Sequence, residues 1–159
     1  MSFTIRKAKK EDMPQVLLLI NQLAQFENEP DAVEVTLKDL ENDGFSETPA
    51  FICFVAEINN KVEGTAIVFH RFSTWKGKIL HLEDLIVNES MRGAGLGTAL
   101  LDEVIKYGHQ LGVKRINWEV LNWNKPAITL YEKKGARVLQ DWNVVHLSEQ
   151  GIKDYIANL

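Results

Sequence analysis

Apolar and polar positions alternate over FTIRKA, a period of two that predicts an opening strand. The period then lengthens. In EDMPQVLLLINQLAQFE, Met13, Val16, Leu17, Ile20, Leu23 and Ala24 recur at helical spacing, and Pro14 suits the first turn. TLKDLENDG predicts a short second helix, with Thr36 as its N-cap and Gly44 past its end. FICFVAEI and VEGTAIVFHRF flank NNK, which predicts a hairpin. KILHLEDLIV is a third apolar strand and runs straight into a glycine-rich stretch. Leu100, Val104, Tyr107 and Leu111 then form a helical stripe that Gly112 ends. RINWEVL predicts a strand. NWNKPAITLYEKKG predicts a helix capped by Asn124, with Pro126 in its first turn and Gly135 past its end; ARVLQDWNVVHLS closes with more strand.

The resulting order, β-α-α-β-β-β-α-β-α-β, is that of a mixed α/β layer fold. It lacks the regular alternation of a doubly wound sheet. The 159 residues suit a single domain spanning 1–159, long enough to bury roughly two-thirds of the unfolded surface. A formal net charge of −4 argues against a nucleic-acid partner and leaves room for a cationic substrate. One cysteine, Cys53, rules out an internal disulfide; inside FICFVAEI it reads as a small buried hydrophobe rather than a nucleophile. The N-terminal stretch has no apolar signal core and no run reaches membrane-spanning length, so no membrane partner and a cytoplasmic location are expected.

The stretch MRGAGLGTALLDEVI carries Gly93, Gly95 and Gly97 between a strand and a helix. Glycine is an entropically poor way to begin a helix. It does let the chain turn sharply and lets an anion approach the open N–H groups and partial positive charge of the first helical turn. Arg92 adds a fixed charge at the mouth. The Walker pattern fails, because Thr98 follows Gly97 where a lysine is required, and the dinucleotide pattern fails because Thr98 or Leu100 falls in its third glycine slot. A glycine-rich turn that binds nothing is the remaining alternative.

Arg92-Gly93-Ala94-Gly95-Leu96-Gly97 resembles the Arg/Gln-x-x-Gly-x-Gly/Ala loop of the GCN5-related N-acetyltransferases. LEDLIV ahead of it and NWNKPAITLYEKKGA after it strengthen the resemblance, which covers nearly the whole chain and looks closest to the diamine (spermidine/spermine) acetyltransferase group. The resemblance implies a mixed, mostly antiparallel central sheet flanked by helices. It implies acetyl-CoA as co-substrate, no metal, and a homodimer. Amides of Arg92, Gly93, Ala94, Gly95, Leu96, Gly97 and Thr98 would take the diphosphate. The backbone of Leu85, Ile86 and Val87 would take the pantetheine arm as an added strand. Asn124 and Ala127 would also contact the cofactor, although a plain helix cap is equally compatible with Asn124.

Acetyl transfer to an amine needs a neutral amine, a donor for the oxyanion and a proton for the leaving thiolate. By resemblance Tyr131 is the acid; a phenol is protonated near neutral pH, though packing on its helix is an alternative role. Glu83, a carboxylate in an apolar strand, is the expected base, directly or through water. Partial burial would raise its pKa, and a strand-end salt bridge is the alternative. Asp84 faces the other way in a regular strand unless a bulge intervenes; the resembled family splays this strand, which would turn both acids to the cleft. His81 shares the parity of Glu83 and reads as structural. No cysteine is positioned for an acetyl-enzyme, so direct attack in a ternary complex is expected.

For the acceptor, Phe26 and Glu27, with Glu29 and Asp31 nearby, suit an alkylammonium. Asp84, Trp118 and Glu119 complete the expected acceptor side, and Trp75 and Trp142 are candidate walls. Departures from the diamine pattern, Phe26 in place of tyrosine and Lys76 after Trp75, favour a small primary amine over a long polycation. A protein or peptide acceptor, or a non-catalytic CoA sensor, is the alternative.

Overall fold

The computed structural model describes residues 2–159, which form two compact units, one ending at Leu121 and one running Asn122–Leu159. The first unit holds a five-stranded sheet in the order β1 (Thr4–Lys7), β2 (Ile52–Ile58), β3 (Lys61–Ser73), β4 (Gly77–Val87), β5 (Ile116–Asn117). All pairs are antiparallel except β4 with β5. The β2–β3 hairpin turns through Asn59 and Asn60, both at positive φ, as its NNK signal predicts.

Helix α1 (Met13–Phe26) lays Met13, Val16 and Leu19 on Cys53, Val55, Val62, Ile67 and Ile86. Leu40 of α2 (Leu37–Gly44) joins this cluster. Thr36 caps α2 in a reciprocal box with Asp39. Strand alternation turns Phe54 to the opposite face, where its ring meets Tyr107 of α3 (Leu96–Gln110) edge-on. Leu100, Leu101 and Val104 of α3 are fully buried. Gly108 lets α3 approach β5: a methyl there would stand 2.6 Å from Ile116 Cδ1. At the start of the chain Arg6 ties Asp12, just ahead of α1, to Glu57 on β2. The guanidinium holds the Asp12 carboxyl below the usual range.

The second unit contains α4 (Lys125–Lys133) and α5 (Glu149–Ala157). Two expectations are corrected here. RINWEVL yields strand only at Ile116–Asn117, and residues 136–148 form no strand. Among the described residues neither 118–121 nor 136–148 finds a ladder partner, and Val144 and Val145 are exposed. Helix α5 lies past the last element predicted; Ser148 caps it by accepting from Gly151 N.

Candidate active site

The glycine stretch forms the turn from β4 into α3. Gly93 and Gly95 sit at φ +81° and +89°, a region that side chains avoid, and Gly95 is the residue on which the helix starts. Gly97 is different. Its φ is unexceptional, and an added methyl would meet only Val87 Cγ2, at an ordinary 3.6 Å. A glycine inside a helix costs about 1 kcal/mol relative to alanine, and nothing in this chain requires it. A Cβ there would stand otherwise in open space in the first turn of α3, room that a diphosphate at that turn would use. Arg92 extends from the same turn with its guanidinium 4.9 Å above the Phe26 ring.

Ahead of this turn, β4 is paired on one side only. Leu85, Ile86 and Val87 register with Ala66, Thr65 and Gly64 of β3, while β5 pairs with β4 only at Leu80 and His81. The edge of β4 from Leu82 onward that faces away from β3 has no strand partner among the described residues, which fits an extended amide-bearing arm laid alongside it.

A β-bulge falls where β4 opens. Ile67 opposes Asp84 and Val68 opposes Leu82, so Glu83 is skipped. As a result Asp84 shares the α1-facing side with Ile67 and Ile86. Glu83 Oε2 lies 3.4 Å from Nε2 of buried His81. Both acids therefore serve one side of the sheet. The environments differ from the sequence expectation. Glu83 has a side chain 56% exposed, so the burial expected of it is not found. Burial falls on Asp84 instead and, reinforced by the nearby charges of Glu83 and Glu27, lifts its carboxyl to about 6. Partial burial also raises Glu27. Glu27, Glu83 and Asp84 thus form an acidic cluster. His81 Nδ1 meets Asn117 Nδ2 at 2.7 Å, and burial lowers its pKa.

The remaining predicted residues divide between the units. Phe26, directly ahead of Glu27, lies under the Arg92 guanidinium. Trp118 is half-buried and Glu119 exposed just after β5, where Glu119 contributes to the field at His81. Trp75 and Trp142 are largely exposed. In the second unit Asn124 caps α4, its Oδ1 accepting from Ala127 N at 3.3 Å, so the capping role is realised. Tyr131 is 8% exposed, and burial raises its phenol above the ordinary value, keeping it protonated at neutral pH.

One contributor escaped the sequence reading. A second bulge, in β3, skips Glu63 between the pairs Ala56–Gly64 and Glu57–Val62. Buried Glu63 accepts from Asn88 Nδ2 at 2.7 Å, and its carbonyl accepts from Asn88 N at 2.8 Å. Asn88 opens the turn that leads to Arg92, so Glu63 anchors the glycine loop to the sheet. A charged residue in the apolar stretch VEGTAIV was the available signal.

Comparison with known proteins agrees with this geometry. Residues 16–136 match the acetyltransferase (GNAT) family model. Thialysine N-epsilon-acetyltransferase of Bos taurus is 34% identical over 161 residues, covering 94% of this chain and 95% of that protein. The human spermidine/spermine N(1)-acetyltransferase-like protein 1 is 32% identical over 162 residues; the match takes in 96% of this chain but 23% of that longer protein. An integron cassette protein from the V. cholerae mobile metagenome shares the fold, with a TM-score of 0.78 at 23% identity over 98% of each chain. The chain belongs to the GNAT acetyltransferase family and is an N-acetyltransferase, similar to enzymes and enzyme-like proteins of the diamine acetyltransferase group. Enzymes of this family take the acetyl group from acetyl-CoA. Among the described residues no helix is long and apolar enough to cross a membrane.

Proposed function

We propose that this protein moves the acetyl group of acetyl-CoA to a primary amine of a small molecule, a diamine or a lysine-like amine, by direct attack in a ternary complex. The acidic cluster of Glu83 and Asp84, on the half of β4 that leads into the amide turn, with Glu27 just past α1, carries this reading. Amides of Gly93 and of Gly95 to Thr98 hold the diphosphate, with Arg92 as the added charge; the amides of Arg92 and Ala94, expected to join them, instead donate to the carbonyls of Glu89 and Met91 within the turn. The free edge at Leu85–Val87 orients the pantetheine arm, and Asn124 and Ala127 support the cofactor from α4. The bound donor supplies an activated acetyl thioester.

The chain's own groups supply the rest. The three carboxylates attract an alkylammonium, whose pKa near ~10 keeps it charged in water. Glu83, open to solvent beside His81, accepts the amine proton directly or through water. Asp84 holds the amine against the buried side of the cluster, with Trp118 and Glu119 at the margin. Tyr131 gives its Oη proton to the departing sulfur. Burial lifts the Cys53 thiol to about 12, and its sulfur sits inside the sheet against Thr65, so an acetyl-cysteine step has no nucleophile there. Residues 1–159 act as one catalytic domain, a reading supported by the family match running across both units. A cytoplasmic homodimer completes the proposal.

The experiment is a thiol-release assay with acetyl-CoA across polyamines, lysine-like amino acids and basic peptides. Turnover of small amines is expected. Release with peptides alone would favour the protein-acetylating alternative, and coenzyme A binding with no release for any of these amines would overturn the small-amine reading.

A further inference from the structure

Phe26, expected from sequence on the acceptor side, also touches the glycine turn. It is the last residue of α1, and the Arg92 guanidinium stands 4.9 Å from its ring centroid. Arg92 is an exposed residue on a glycine-rich turn, next to Gly93 at positive φ, so the loop backbone does little to fix the direction of its long side chain. The arginine forms no ion pair among the described residues that would hold it instead. A flat aromatic face is well suited to this task, because stacking orients the guanidinium plane while leaving its N–H edges free for an anion. The ring itself is partly buried at the end of a helix whose Met13, Val16 and Leu19 are locked into the core, so it is a rigid platform.

We infer that Phe26 is a positioning residue for the donor: it holds the Arg92 side chain over the α3 N-terminus and so strengthens binding of the coenzyme A diphosphate. The inference rests on the donor site proposed above. The next residue, Glu27, belongs to the acidic cluster. One end of one helix therefore sets an element of each substrate's site.

The test is calorimetric titration of the full chain with free coenzyme A, using wild type, Phe26→Leu, Phe26→Tyr, Arg92→Ala and the Phe26→Leu/Arg92→Ala double variant, with unfolding midpoints confirming that each is folded. Phe26→Leu is expected to weaken coenzyme A about two- to fivefold, the scale of an exposed cation–π contact. Phe26→Tyr, which keeps a ring, should bind as wild type does. In the Arg92→Ala background, Phe26→Leu should cause no further loss. A Phe26→Leu protein that binds like wild type, or one that loses the same factor with and without Arg92, overturns the inference while leaving the donor site standing. Failure of the wild-type protein to bind coenzyme A overturns both.

Discussion

Asp84 offers the sharpest test of the electrostatics. In the folded chain its carboxyl is raised from 3.8 to about 6, by burial first and by Glu83 and Glu27 second. At ~1.4 kcal/mol per pH unit, holding it ionised costs the fold ~3 kcal/mol. The folded protein binds this proton more tightly than the unfolded chain does. Its stabilising effect is therefore complete below the unfolded pKa, drains away as pH rises through about 6, and stays lost above. Asp84→Asn has no proton to lose. Any cost of fitting the amide is the same at every pH, so the comparison is of slopes rather than absolute stabilities. Urea unfolding of both proteins near pH 4 and near pH 7 should show wild type losing ~2 kcal/mol relative to the variant across that interval, the remainder having gone below pH 4. On the proposed role of the acidic cluster in holding the amine, the variant should also be the poorer enzyme. Parallel stability curves for the two proteins would refute the account of this carboxyl.

Gly97→Ala should keep the fold and hold or raise stability by up to ~1 kcal/mol, while coenzyme A affinity falls roughly tenfold or more as the methyl enters the donor's space. Unfolding and calorimetric titration read the two effects separately, and unchanged affinity would mean that nothing approaches Gly97. Tyr131→Phe should lower kcat by roughly a hundredfold with coenzyme A affinity preserved; an unchanged kcat would remove Tyr131 as the acid. Arg6→Ala leaves Asp12 buried without its cation and should cost roughly 3 kcal/mol near neutral pH. Asp12 is depressed in the fold, so the stability it contributes disappears as pH falls, and the variant should show a shallower acid-side slope in the same urea experiment.

The apolar patterning made the sheet and the first three helices legible, because α1, α2 and α3 each bury one stripe and β2 to β4 are long. The glycine turn was legible for a different reason. The positive φ at Gly93 and Gly95 is a need that glycine meets best, so it leaves a signature in the sequence, whereas Gly97 is a glycine that the fold itself does not require. The burial of Asp84 in place of Glu83 was not legible. It depends on a bulge that the family resemblance suggested, whereas alternation alone assigns faces by parity. The Phe26–Arg92 stack joins positions far apart in sequence, and an aromatic beside acids reads equally well as an acceptor wall. In ARVLQDWNVVHLS the apolar content reads as strand, but an edge needs a partner, and the described chain provides none.

The unpaired residue in β4 stands outside the alternation that builds the core. Excise Glu83, and His81, Leu82, Asp84, Leu85 and Ile86 would alternate without interruption, each keeping the side of the sheet it already occupies. The hydrophobic interior has no use for this extra position. Glu83 is a surplus link spliced into an otherwise complete strand, so its side chain can be exchanged without disturbing the packing on either side of the sheet.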